Sequence, residues 1–126
     1  MTTEDIVSGP GLSRIYAFFS GRPREAAEIG AAALRGDNPL ATAAVRLWQE
    51  CYGAFAGDLA LHWLARGGVY LAGGMAAKLL SGNDCRPLLS AFLAKREHRH
   101  LVEDMPLYLV NDEALGLLGS LALAAA

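Results

Sequence analysis

Only two stretches of this sequence read as β-strand, and that scarcity constrains the fold more than any other feature. Val69-Tyr70-Leu71, within residues 68–72, and Leu107-Tyr108-Leu109-Val110 are short apolar runs of β-branched and aromatic character. Roughly 35 residues of mainly helical pattern separate them, so a hairpin is excluded and a parallel pair with a right-handed crossover is expected. Parallel strands are normally covered on both faces, and two are too few for a free-standing sheet. The chain therefore reads as part of something larger, or as one copy that takes its missing strands from another. The expected class is α/β, helix-rich with few parallel strands, in a single domain spanning 1–126.

The helices announce themselves by their ends. Ser8-Gly9-Pro10 opens the first, with Ser8 or Gly9 as N-cap and Gly21 as stop. A second runs from about Pro23 to Leu34 and ends at Gly36. Asp37 or Asn38 caps a third, which has no breaker before about Arg66. Its buried stripe is expected along Leu40, Ala44, Leu47, Cys51, Phe55, Leu59 and Trp63. Gly53 and Gly57 lie four apart on one face and predict a close crossing by another element. Further helices are expected from the end of the first strand to about Leu80, over 87–96, and from Ala114 to Ala125. Gly116 and Gly119 on the last would let it pack closely on the sheet.

Between the first strand and its helix lies Ala72-Gly73-Gly74-Met75-Ala76. In open α/β sheets, ligands collect beyond the carboxyl ends of strands, where backbone N–H groups face the crevice. A glycine pair there lets a planar or anionic ligand approach the main chain. A tight βα connection with no ligand is the competing reading.

Composition narrows the field. Hydrophobic residues make up 53% of the 126 and charged residues 19%, which suits a packed domain rather than a disordered one. A net charge of −2 offers no basic field for nucleic acid, and Lys95, Arg96, Arg99 and His100 read as a solvated helix end. Cys51 and Cys85 have no ligand spacing and are expected as free thiols in a reducing compartment. No secretory leader pattern is visible, and the apolar run from Leu115 to Ala126 is too short to span a bilayer. A cytoplasmic protein without membrane partners is expected. His62, His98 and His100 share no partner pattern, Asp58 reads as a surface acid, and no catalytic or metal constellation is supported.

Four blocks taken together resemble the C-terminal part of the bacterial ATP-dependent glucokinase family, the non-zinc class in the hexokinase–actin–Hsp70 fold superfamily. They are Glu4-Asp5-Ile6-Val7-Ser8-Gly9-Pro10-Gly11-Leu12, Gly53-x-Phe55-x-Gly57-Asp58-Leu59-Ala60-Leu61, Gly67-Gly68-Val69-Tyr70-Leu71-Ala72-Gly73-Gly74, and Asp104-Met105-Pro106-Leu107-Tyr108-Leu109-Val110 with Leu115-Gly116-Leu117-Leu118-Gly119. Their order and spacing match across nearly the whole chain.

The resemblance implies a ribonuclease-H-like, actin-like ATPase fold and transfer of the ATP γ-phosphate to the 6-hydroxyl of glucose. Gly73, Gly74 and Met75 would lie at the adenosine, and Glu4 would accept hydrogen bonds from sugar hydroxyls. So near Met1, Glu4 is itself expected as a frayed, solvated residue. ATP and Mg²⁺ would serve the complete enzyme. The family's Asp-Gly-Gly-Thr-type phosphate loop, catalytic aspartate and Glu-x-x-His sugar motif are not among these 126 residues, so the chain alone is expected to be inactive. Lys95-Arg96-Glu97 departs from the family's Lys-Gly-Arg-like turn. A homodimer is implied, with the Gly53/Gly57 face of the long helix as a contributor. The alternatives are a kinase of another sugar on the same fold and a non-catalytic dimerisation or interaction module.

Overall fold

Helix boundaries fall where the sequence supplies caps. In the computed structural model, which describes residues 1–126, a 3-10 turn at Thr3–Asp5 leads into α1, Gly9–Ser20. The Ser8 hydroxyl oxygen accepts from the Gly11 N–H at 3.0 Å, and Gly21 ends the helix in the left-handed region at φ 70°. α2, Ala26–Arg35, stops in the same way at Gly36. The Asn38 amide oxygen caps α3, Pro39–Trp63, accepting from the N–H groups of Leu40 and Ala41 at 3.0 and 3.1 Å. There follow β1 (Val69–Leu71), α4 (Gly74–Leu80), α5 (Arg86–Leu93), a 3-10 turn at Arg96–His98, α6 (Arg99–Val102), β2 (Leu107–Leu109) and α7 (Leu115–Ala125).

The two strands pair in parallel, Val69 opposite Leu107, Tyr70 opposite Tyr108 and Leu71 opposite Leu109. Helix-rich α/β architecture with a parallel pair is thus what the chain adopts. α3 is its spine, with α1, α2 and α5 packed on it around Leu12, Ile29, Trp48, Phe92 and Val102. β1 is not the fully buried strand expected. Leu71 points into the core, but the two-residue strand period sends Tyr70 to the other face, 63% exposed. There its ring stacks on Tyr108, centroids 4.9 Å apart and planes 21° from parallel.

α3 corrects two expectations. It ends at Trp63 rather than near Arg66, because Leu64 turns left-handed at φ 47°. Of the expected buried stripe only Ala44 is fully buried; Leu40, Leu47, Phe55, Leu59 and Trp63 are exposed, and Cys51 is half-buried. The reason is rotation. Each four-residue step overshoots a full turn by about 40°, so the ridge 47–51–55–59–63 winds around the helix instead of following one face. The face that is buried carries Ala41, Val45, Trp48, Gln49, Ala56 and Ala60.

Gly53 and Gly57 do mark a close crossing, and the crossing element is α5 of the same chain. A methyl on Gly53 would collide with the Leu88 carbonyl, and one on Gly57 with the Phe92 carbonyl and the Lys95 side chain. That face is therefore filled and is not free for a second copy.

Two other helices also depart from expectation. The one expected over 87–96 ends at Leu93, and Arg96 follows in the left-handed region at φ 47°. The polar stretch around His98 and His100 belongs to a 3-10 turn and the short α6. α7 has no buried residue and does not lie on the sheet: both Gly116 and Gly119 face open space.

Candidate functional site

The strand-turn-helix around the glycine pair is formed as expected. Gly73 holds φ 107°, a conformation that side chains rarely adopt, and this lets the chain leave β1 and enter α4 across only two residues. A methyl on Gly73 or Gly74 would meet no atom within 4 Å, so their outer side is bare main chain. Met75 is half-buried, and its thioether lies beside Gly9, where a methyl would sit 3.6 Å from Sδ. These residues line a recess of about 270 Å³ whose opposite walls are Val7, Ser8 and Gly9 at the start of α1 and Trp48 and Tyr52 on α3. The two aromatic rings meet edge to face, centroids 5.2 Å apart. Burial pushes the Tyr52 hydroxyl above its ordinary pKa. Trp48 is 1% exposed and its Nε1–H has no partner.

Glu4 is not frayed. It sits in the Thr3–Asp5 turn, whose ends are tied together: the Thr2 main-chain N–H donates to Asp5 Oδ2 at 2.6 Å, and the Thr2 hydroxyl donates to the same oxygen at 3.2 Å. Arg14, on the second turn of α1, donates from Nη1 to the Asp5 main-chain carbonyl at 2.8 Å. The Thr2 N–H, then the Thr2 hydroxyl, with the Arg14 charge adding to both, hold the Asp5 carboxyl below its ordinary pKa. Gly11 completes the docking, since any methyl there would collide with the Ile6 carbonyl. The Glu4 side chain is exposed and makes no intramolecular hydrogen bond. It lines a recess of about 240 Å³ with Thr2, Asp5, Ser8, Pro10 and Arg14.

Ser8 lines both recesses, so the start of α1 lies between Glu4 on one side and Gly73, Gly74 and Met75 on the other. Sequence reasoning places these four residues individually but misses Arg14 and the Trp48–Tyr52 wall. The aromatic pair carries a readable signal, i and i+4 on one helix.

The remaining candidates fall away from this centre. His62, His98 and His100 are exposed, and no three His, Cys, Asp or Glu side chains converge as a metal site would require. Asp58 turns to Lys95, at 2.6 Å. A hollow of about 570 Å³ between α3 and α5 holds none of the expected residues, and its charges already pair as Arg46–Glu50 and Asp84–Arg86. No helix is long and apolar enough to cross a membrane.

Comparison with known proteins gives the family. The family model described as Glucokinase matches residues 1–126. The chain is 38% identical to a glucokinase of Mesorhizobium japonicum over 127 aligned positions, covering 96% of this chain and 37% of that protein. It is 33% identical to one of Nostoc punctiforme, covering 99% and 44%. The crystal structure of glucokinase from an Antarctic psychrotroph superposes with a TM-score of 0.75 at 28% identity, covering 95% of this chain and 39% of that one. The chain thus spans about two fifths of the length of the relatives it matches. On its fold, its four sequence blocks and these matches over almost every residue, the chain belongs to the glucokinase family.

Proposed function

We propose that this chain forms the C-terminal part of a cytoplasmic, ATP-dependent glucokinase, supplying one sugar ligand and the adenosine side of the site. The observation that carries the reading is the placement of Glu4 and the Gly73-Gly74 turn on either side of Ser8. A free carboxylate accepts two or more O–H donors and so reads the positions of sugar hydroxyls. The bare main chain at Gly73 and Gly74 lets a flat nucleoside lie close, with Met75 behind it. Supplied with ATP, the complete enzyme would pass the γ-phosphoryl group to the 6-hydroxyl of glucose, in the first step of glycolysis. The phosphate loop, the base and the Mg²⁺ ligands would come from residues outside these 126.

Phe55 and Leu59, about one turn apart on α3 and exposed rather than buried, support self-association as a homodimer through that side of the helix.

A coupled assay on the complete polypeptide tests the proposal. Glu4→Gln is expected to raise the glucose KM at least tenfold and leave the ATP KM within twofold, and Gly74→Val is expected to do the reverse. Phosphorylation of glucose by residues 1–126 alone, or no change in either KM, would overturn it.

A further inference from the structure

The Glu4 side chain bonds to nothing in the protein, so its position is set wholly by the main chain of its turn. Beyond its own main-chain bonds, three ties hold that turn: the Thr2–Asp5 side-chain bonds, the seat of the Ile6 carbonyl against Gly11, and Arg14. Only the third is a side chain reaching from the body of α1. The Asp5 carbonyl ends the 3-10 turn and receives no main-chain N–H, so the Arg14 guanidinium is its hydrogen-bond donor, at 2.8 Å. A second Coulombic contact, 3.7 Å to Asp5 Oδ1, keeps the guanidinium in place.

We propose that Arg14 is a positioning residue for sugar binding: it fixes the turn from which Glu4 meets the hydroxyls. The proposal rests on the reading of Glu4 as a sugar ligand. Arg14 Nη1 meets both the carbonyl and the carboxylate of Asp5, at 2.8 and 3.7 Å, and a lysine at this position keeps the charge on a shorter stem that reaches them less well. Without Arg14 the Asp5 carbonyl turns to water, and the turn keeps its internal bonds and the seat of Ile6 on Gly11 but no side-chain tie to α1. A carboxylate displaced by about 1 Å loses much of its value to a bound ligand. The nucleotide side has no such dependence, because Gly73, Gly74 and Met75 hang from β1 and α4.

The test uses the complete enzyme that carries this chain, with Arg14→Met, Arg14→Lys and Glu4→Gln compared. Arg14→Met is expected to raise the glucose KM about fivefold to tenfold, with the ATP KM and the kcat at saturating glucose within about twofold. Arg14→Lys is expected to recover part of that loss. Hydrogen exchange at the Ile6 and Val7 amides, which close the turn onto Thr3, is expected to speed up about tenfold in Arg14→Met, with α4 unchanged. Unaltered exchange at those amides, or a glucose KM unaltered in Arg14→Met while Glu4→Gln raises it, would overturn the positioning role alone. An unaltered glucose KM in Glu4→Gln would overturn the sugar reading and this inference with it. Should Arg14→Met fail to fold, Arg14→Lys carries the same readouts: a glucose KM and exchange rate identical to the unmodified enzyme would count against the proposal.

Discussion

The Lys95 ammonium stands 2.6 Å from Asp58 Oδ1, joining the segment after α5 to the C-terminal part of α3. It also donates to the main-chain carbonyl of Ala54 at 2.7 Å, and the Lys95 side chain is only 9% exposed. Gly57 leaves room for that side chain to cross. The two partners differ in weight. Asp58 is 72% exposed, so water and salt screen its attraction, while the carbonyl bond lies against the protein. Lys95→Met is expected to lower unfolding free energy by about 1.5–3 kcal/mol, and Asp58→Asn by under about 1 kcal/mol. Urea denaturation of both variants checks the order, and equal losses would refute it.

Close approach of α3 and α5 gives a second expectation. Gly53→Ala places a methyl into the Leu88 carbonyl and Gly57→Ala places one into the Phe92 carbonyl, both main-chain atoms that cannot swing aside. Each is expected to cost about 2–3 kcal/mol despite the better helix propensity of alanine. Gly116→Ala on α7, where the space is open, is expected to have the opposite sign, a gain of about 0.5–1 kcal/mol in helix stability. Thermal unfolding and helix content by circular dichroism distinguish the two cases.

Arg96 occupies a left-handed position, φ 47°, at which the family resemblance carries glycine. A side chain in that region is strained, by about 1 kcal/mol. Arg96→Gly is therefore expected to stabilise the chain or leave it unchanged, the relief being offset in part by the greater freedom of glycine when unfolded. A loss above about 1 kcal/mol in urea would show that the Arg96 side chain makes a contact of its own worth more than the strain.

One carboxylate should report on its partner by pH. Asp84 is lowered to about 2 from an ordinary 3.8, chiefly by the Arg86 guanidinium hydrogen bonds and then by the Arg86 main-chain N–H. A depressed folded pKa stabilises the native state above the unfolded value, and that contribution disappears as pH falls from about 4 through about 2. Side-chain carbonyl shifts in an NMR titration are expected to place the Asp84 midpoint near 2, and Arg86→Ala is expected to bring it back toward the ordinary value.

Much of this fold is legible in the sequence because caps are local chemistry. Ser8, Asn38, Gly21 and Gly36 act within four residues of where they stand, and the parallel pair follows from strand separation alone. Burial on α3 is not legible, because Phe55 and Leu59 are as apolar as any core residue and only the packing of α5 on the Gly53/Gly57 side determines which way they face. The candidate site divides on the same line. Gly73 and Gly74 declare themselves by their freedom of conformation. The order of the Glu4 turn depends on Arg14, nine positions beyond Asp5, and on a carbonyl lying over Gly11, neither of which leaves a pattern in sequence. The place of α7 is equally hidden, because Gly116 and Gly119 permit close packing without requiring it.

That last helix behaves as a separate thermodynamic body. With none of its side chains buried, melting α7 breaks no core contact, so its unfolding is uncoupled from that of α1–α5. An isolated helix of this length is marginal in water, and its leucines give it a standing tendency to escape solvent. A protease would therefore trim the chain from Leu117 onward long before it cut elsewhere, leaving a core that unfolds at the same temperature with or without its tail.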